Sequence, residues 1–388
     1  MVRITQPPAG AVPTESVFVR IPAAAVRHGA VNLAQGVFDH GPPPEVLAAL
    51  AAVGEGAEHQ YAPSAGHPLL RAALARKYGP LDPDTEITVC AGATEAYYST
   101  MAALIRPGDE AIVVEPAYEQ YGPVITAFGG VVRAIRLPGL DARLDAAALA
   151  AVTTPATKVI VVNSPWNPFG RSLDEDEWNA VAELANARGV VVVSDETYEH
   201  LNLGSRAHRS VSDVIADPEL RVKVSSASKT LAVTGWRVGW AIAGPGLTRR
   251  IRAAHQFVTF CPPTPLQLAV ARVLDSPDFE NLIAGTVAGM SQRVSSFVDT
   301  LTGLGIPAAM PDSGFYVLAD VGEDATSWCD RMLVDQGVAG LPLSVFYSQP
   351  VPEAATVVRF ALCKQAGTLT EASRRLRARL HSGGPGPS

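Results

Sequence analysis

The feature that most constrains this chain's fold is a series of short, nearly unbroken Val/Ile runs through its first two thirds. They cover Glu86–Cys90, Glu110–Glu115, Val131–Ile135, Lys158–Asn163, Gly189–Ser194, Val222–Ser225 and Val238–Ile242. Between several of them apolar residues recur at helical spacing, in Leu69 to Tyr78, Glu95 to Ile105 and Glu175 to Ala187. β-Branched runs without polar alternation need cover on both faces. Helices between successive strands supply it, so the pattern predicts an α/β domain with a largely parallel sheet over residues 42–270.

Past that point the pattern changes. Helical stretches Leu266–Leu274 and Leu282–Leu304 precede strand-like Gly314–Ala319 and Thr356–Leu362, the order expected of a smaller α+β domain over residues 271–380. Residues 1–41 read as an arm that joins the smaller domain in part. Pro7, Pro8, Pro13 and Pro22 punctuate it and leave a short helix over Ala23–His28. Residues 381–388 have the composition of a disordered tail. A length of 388 residues suits such a two-domain plan.

Composition removes several function classes. With 47% hydrophobic and 18% charged residues, the chain is not disordered. Its formal charge of −7 argues against a nucleic-acid partner, which calls for a basic surface. Cys90, Cys261, Cys329 and Cys363 are scattered, with no spacing that suggests a metal site, and read as reduced core thiols. No stretch approaches the roughly 20 apolar residues of a membrane span, and no signal-peptide core is evident. The expectation is a cytoplasmic protein with neither metal nor membrane partner.

Five segments could carry chemistry, and each has a plain structural reading beside the functional one. Lys229 lies in Ser225-Ser-Ala-Ser-Lys-Thr-Leu-Ala-Val-Thr-Gly-Trp-Arg-Val-Gly-Trp240. A loop lysine is ordinarily a solvated charge. With Ser226, Ser228 and a second cation, Arg237, in an otherwise apolar segment, it also reads as half of a buried phosphate site, its amine lowered into a Schiff-base nucleophile. Asp195 ends a buried strand, where open α/β sheets place ligands. It can cap the next helix or hold a ligand cation, with Tyr198 either packed in the core or aimed at the same ligand.

Gly92-Ala-Thr-Glu95 opens a helix and is either a capping turn or an anion cradle. Asn163-Ser-Pro-Trp-Asn-Pro-Phe-Gly170 is a constrained turn that can also present the Asn167 amide to a ligand. Arg359, in the apolar run Val357–Leu362, either snorkels from an edge strand or points inward to meet a carboxylate.

Taken together with Pro116-Ala-Tyr118, these motifs resemble, in order and spacing, the fold-type I, class I pyridoxal-phosphate aminotransferases. Val31-Asn-Leu-Ala-Gln-Gly36, Tyr61-Ala-Pro-Ser-Ala-Gly66 and Gly340-Leu-Pro-Leu-Ser-Val-Phe-Tyr-Ser348 are similar to the kynurenine, glutamine and methionine aminotransferase branch. The resemblance spans about Ser16 to Leu380. It implies a large domain with a mostly parallel seven-stranded sheet between helices, a smaller α+β domain, pyridoxal 5'-phosphate as cofactor, and a homodimer with shared active sites. It further implies that an amino group moves from an L-amino acid to a 2-oxo acid by a ping-pong mechanism.

The resemblance also implies residue roles. Lys229 forms the Schiff base with the cofactor and then shuttles a proton, Asp195 pairs with the ring nitrogen, Tyr198 and Asn167 reach the phenolic oxygen, and Tyr118 stacks on the ring. Gly92, Ala93, Thr94, Ser226 and Arg237 form the phosphate site, joined by Tyr61 from a second subunit. Arg359 clamps the substrate carboxylate with help from Gly36 and Asn167, and Phe18 and, across the interface, Phe260 line the side-chain pocket. Gly36-Val-Phe-Asp39 departs from the usual Gly-Phe-Pro-Asp, and Trp166 and Phe169 are bulkier than usual. Read as neighbours of the substrate pocket, these departures leave the substrate open. An apolar, aromatic pocket without an evident second arginine favours glutamine, methionine, kynurenine or an aromatic amino acid over Asp or Glu. Two rivals stand beside this reading. One is β-elimination or oxidation on the same scaffold; the other is a non-catalytic sensing domain.

Overall fold

The seven Val/Ile runs form one sheet in the computed structural model, which describes residues 16–54, 59–139 and 141–382. In chain order the strands are β1 (Val31–Asn32), β2 (Ile87–Cys90), β3 (Glu110–Glu115), β4 (Val131–Arg136), β5 (Thr157–Asn163), β6 (Val191–Asp195), β7 (Arg221–Ser226), β8 (Gly239–Ala243), β9 (Tyr316–Asp320), β10 (Val338–Ala339), β11 (Leu341–Pro342) and β12 (Val357–Ala361). The large sheet has the order β2-β8-β7-β6-β5-β3-β4. Every pair from β7 to β4 is parallel, and only β8 runs antiparallel, to β7 and to β2.

Alternate residues of the central strands feed two cores, as the period of two requires. Ile112, Ile160 and Val192 pack on one face with Trp178 and Val181 of helix Glu175–Arg188. Ala111, Val113, Val161 and Val193 pack on the other with Tyr97 and Met101 of helix Ala93–Leu104 and Ile251 of helix Pro245–His255. Helix Glu175–Arg188 is bounded by its sequence. A capping box of Asp174 and Glu177 starts it, and Gly189, in the left-handed region at φ 65°, stops it.

The smaller sheet, β11-β12-β9, is antiparallel and follows the long helix Phe279–Gly303. β1 pairs in parallel with β10, which brings the N-terminal segment onto this part of the fold. Leu33 continues the join by accepting from Ala361 N at 2.7 Å.

Four expectations need correction. The N-terminal helix is Val17–Arg27, starting six residues before Ala23, because Ser16 caps it by accepting from Phe18 N at 3.0 Å. Pro22 lies inside it without breaking it. The carbonyl that Pro22 cannot bond, Phe18 O, accepts from Gln35 Nε2 at 3.4 Å instead. Helices Pro44–Ala51 and Pro245–His255, each with proline in its first turn, have weak sequence signals and were not anticipated as elements. The last helix, Ala366–Ser382, runs two residues into the stretch read as tail, while residues 1–15 and 383–388 lie outside the described residues. Cys90, Cys329 and Cys363 are buried free thiols, but Cys261 is only half-buried. Among the described residues no helix is long and apolar enough to cross a membrane.

Candidate active site

Three neighbouring strands of the large sheet end at one hollow. β5 ends at Asn163, β6 at Asp195 and β7 at Ser226, and Asn163 and Asp195 are register partners. The hollow has a volume of about 240 Å³, and Asp195, Ser226, Lys229 and Arg237 all border it. This is the carboxyl edge of a parallel sheet, where strands diverge into loops that can be shaped around a ligand.

One end of the cavity is cationic. Ser226 caps the short helix Ala227–Thr230, its hydroxyl accepting from Ser228 N at 3.4 Å, and the helix carries Lys229 into the cavity wall. Arg237 adopts left-handed backbone at φ 53° and donates to Thr234 O at 3.1 Å and Ala91 O at 3.3 Å. Its guanidinium lies against the turn Gly92-Ala93-Thr94 at the N-terminus of helix Ala93–Leu104. Gly92 has φ 83°, a conformation that favours glycine, and a Cβ there would push the Arg237 guanidinium out of its place against the turn. Arg237 is exposed rather than buried, contrary to the reading of its apolar segment, because it stands at the open rim of the turn.

Lys229 faces the middle of the cavity, and its Nζ donates to Gly36 O at 2.5 Å. Burial, together with the positive charges of Arg359, Arg237 and Lys364, pushes its amine down to about 8. Across the cavity, Asp195 accepts from Tyr121 Oη at 2.7 Å, from Thr197 Oγ1 at 2.6 Å and from Thr197 N at 3.1 Å. Burial nevertheless raises its carboxyl above the ordinary range, the state of a group that gains from a cationic ligand.

The remaining wall is aromatic and amide-bearing. Tyr198 Oη lies 2.9 Å from Tyr316 Oη, and Tyr118 and Phe18 face each other with ring centroids 5.9 Å apart. Asn167 is fixed by Asn163, whose Oδ1 accepts from its backbone N–H at 2.8 Å, and its own Oδ1 accepts from Arg359 Nη1 at 2.8 Å. Arg359 does not itself border the cavity but lies behind Asn167 and Tyr316, fully buried on β12, the middle strand of its sheet, so the edge-strand alternative fails. Its guanidinium lies over the rings of Tyr316 at 4.3 Å and Phe346 at 4.9 Å, its Nη2 donates to Ala34 O, and its Nε has no hydrogen-bond partner.

Tyr61 and Phe260 are not part of this cavity. Both are exposed, with ring centroids 5.7 Å apart, and Phe257, three residues before Phe260, is also exposed. Trp166 and Phe169 were read as neighbours of the substrate pocket, and the structure corrects this. Both are buried in the core with Arg171 over their rings, and Trp166 Nε1 donates to Pro116 O at 2.8 Å. Sequence reasoning missed Tyr121, Thr197 and Tyr316 as wall residues, whereas Ser228, named with Ser226 as a phosphate-site hydroxyl, does border the cavity. Thr197 stood inside a motif already singled out, and Tyr121 follows Tyr118 by three residues. Tyr316 joins Tyr198 across 118 residues of chain and had no local signal.

The residues present fit a phosphorylated pyridine aldehyde. The cradle at Gly92 excludes a Cβ beside Arg237, Ser228 Oγ is buried without a partner, Lys229 offers a lowered amine, and Asp195 offers a carboxylate.

Comparison with known proteins agrees with this architecture. Residues 28–376 match the family model of aminotransferase class I and II. The chain is 36% identical to the probable N-succinyldiaminopimelate aminotransferase DapC of Mycobacterium tuberculosis, over 93% of this chain and 95% of the relative. It is 35% identical to the methionine aminotransferase of Escherichia coli strain K12, with the same two coverages. The solved structure of YbdL from Escherichia coli, described as having a methionine aminotransferase function, superposes with a TM-score of 0.89 at 33% identity, covering 97% of this chain and 99% of that one. The fold and the matches define a fold-type I transferase. The chain belongs to the aminotransferase class I and II family, and is a pyridoxal-phosphate-dependent aminotransferase that transfers an amino group between an amino acid and a 2-oxo acid.

Proposed function

We propose that this enzyme acts on glutamine, methionine, kynurenine or an aromatic amino acid, through the residues that border the 240 Å³ cavity. The observation that carries the proposal is the convergence of Lys229, Asp195 and Arg237 on that one space, with Phe18, Val37, Tyr118 and Tyr121 making much of its wall aromatic or aliphatic. Among the described residues of one chain, the cations bordering it are Lys229 and Arg237, both occupied by cofactor in this reading. A second carboxylate on the substrate side chain has no counter-charge left, which disfavours acidic substrates and succinylated diamino acids.

Bound pyridoxal phosphate supplies a protonated ring that draws electrons from the substrate Cα. Arg237, Ser226 and the backbone of Gly92, Ala93 and Thr94 would hold its phosphate, and the Asp195 carboxylate would hold a proton on the ring nitrogen. Tyr198 and Asn167 would bind its phenolic oxygen, and Tyr118 would lie against the ring. Arg359, whose Nε lacks a partner, takes the substrate carboxylate with Gly36 and Asn167. Lys229 removes the proton at Cα and returns it one position along, its lowered amine matching the task near neutral pH.

The proposal includes a homodimer in which Tyr61 and Phe260 complete the partner's site, since both are exposed and lie outside the cavity of their own chain. It also includes a cytoplasmic setting, in which the four free thiols stay reduced. The test is a spectrophotometric screen of the purified enzyme. Methionine, glutamine, kynurenine or an aromatic amino acid bleaches the cofactor band and a 2-oxo acid restores it, whereas a response confined to aspartate or glutamate contradicts the proposal.

A further inference from the structure

Beyond Asn32 the chain leaves β1 and crosses the site as a strap in which Gln35, Gly36 and Val37 border the cavity. Four successive carbonyls of this strap accept from cationic side chains. Arg359 Nη2 binds Ala34 O, Lys364 Nζ binds Gln35 O at 3.2 Å and also Val37 O, and Lys229 Nζ binds Gly36 O at 2.5 Å. Lys364 is only 5% exposed and does not border the cavity, and its ammonium donates to backbone carbonyls rather than to a carboxylate. It straddles Gly36, where there is no slack, since a Cβ at that position would collide with Tyr316 Oη.

A second anchor lies two residues further on. Asp39 accepts from Gln365 N at 2.7 Å and Thr368 Oγ1 at 2.6 Å, and its carbonyl accepts from Gln365 Nε2 at 2.7 Å. The segment just after β12, which itself carries Arg359, therefore also sets the position of the strap.

We propose that Lys364 is a positioning residue for substrate, its buried ammonium fixing the strap so that Gly36 and its neighbours meet the substrate carboxylate held by Arg359. This rests on the substrate site proposed above. The Lys364 ammonium donates to backbone carbonyls and lies near enough to Lys229 to help lower its amine, a concentration of positive charge that an incoming carboxylate relieves. Lys364 touches neither substrate nor cofactor and acts through the backbone of Gln35 and Val37.

The test uses holoenzyme and 3-phenylpropionate, an aromatic carboxylate with no amine to react, with calorimetry as the readout. Lys364→Met keeps the aliphatic stem and removes the donor. Its dissociation constant for the carboxylate is expected to rise about tenfold, equivalent to about 1.4 kcal/mol, with cofactor affinity measured by fluorescence within about twofold of wild type. KM for amino donor and 2-oxo acceptor rises alike, with kcat changing far less. Asp39→Asn, which loosens the same strap from its other anchor while removing a negative charge, also weakens the carboxylate. An unchanged dissociation constant in folded Lys364→Met, with only a lower melting point, overturns the proposal. Should that variant fail to fold, the Asp39→Asn dissociation constant decides in the same way. A wild-type enzyme that binds the carboxylate but turns over none of the proposed amino acids contradicts the substrate reading and leaves the comparison of variants intact.

Discussion

Tyr121 Oη donates to Asp195 Oδ2 at 2.7 Å, joining a residue at the start of helix Tyr121–Ala127 to the end of β6 across 74 residues of chain. With Thr197 on the other oxygen, this bond keeps a buried carboxyl from rising further toward its protonated form. Tyr121→Phe removes the donor and little else. A hydrogen bond to a charged group contributes about 1.5 to 3 kcal/mol, so cofactor affinity is expected to fall at least about tenfold, read by fluorescence titration of the cofactor-free protein. An unchanged affinity contradicts a role for Asp195 in holding the ring.

Lys229→Ala is expected to keep its circular dichroism spectrum and lose transamination, with a fall in turnover of at least about 10²-fold from the missing proton transfer alone. Substantial turnover in that variant contradicts the assigned role.

The lowered amine also bears on stability. In the cofactor-free protein the folded lysine gives up its proton near 8, whereas the unfolded chain holds it to about 10.5. Unfolding therefore takes up a proton between those values, and the contribution of Lys229 to stability improves as pH rises across that window. Lys229→Met, which has no charge to bury, should raise the melting temperature of the cofactor-free protein at pH 7 and narrow its advantage toward pH 10. Parallel melting curves of the two proteins from pH 7 to 10 contradict this.

Arg359→Ala is expected to lower kcat/KM for amino acid and 2-oxo acid by roughly 10² to 10³, the scale of breaking a buried, hydrogen-bonded charge pair at about 3 to 5 kcal/mol. Arg359→Lys should recover little, since an ammonium cannot reproduce the planar fork that reaches Asn167 and Ala34. Equal losses of melting temperature and of activity would mark the arginine as structural only.

Behind the site, Lys223 donates to Glu196 at 2.7 Å and to Glu199 at 2.5 Å, locking the turn that carries Asp195 and Tyr198. Burial pushes the Glu196 carboxyl up, but Lys223 and His208 more than offset it and hold it at about 2. Glu196 thus adds stability that is present above the ordinary value of 4.5 and is lost as pH falls toward 2. Lys223→Met strands two buried carboxylates and is expected to cost about 3 to 5 kcal/mol in urea unfolding at pH 7, with the deficit shrinking in acid. A deficit that is constant between pH 7 and pH 3 contradicts the pairing.

Much of this was legible in the sequence, for definite reasons. The central strands are written locally, as β-branched residues without polar alternation. Asp195 and Ser226 are found by the same signal, because each directly follows such a run and ends its strand. What stayed hidden depends on contacts between distant segments. The hydroxyl pair Tyr198 and Tyr316, the grip of Lys364 on the strap, and the turn of Trp166 toward Pro116 instead of the pocket have no local pattern. Helix Val17–Arg27 was misread because Pro22 looks like a break until Gln35 is seen to serve the carbonyl it leaves free.

Lys229 is expected to bind pyridoxal phosphate covalently in the cavity it shares with Asp195 and Arg237. Borohydride reduction of the holoenzyme followed by peptide mass mapping tests it directly. The expected result is a single phosphopyridoxyl group on the peptide containing Lys229; a label on another lysine, or none at all, contradicts it.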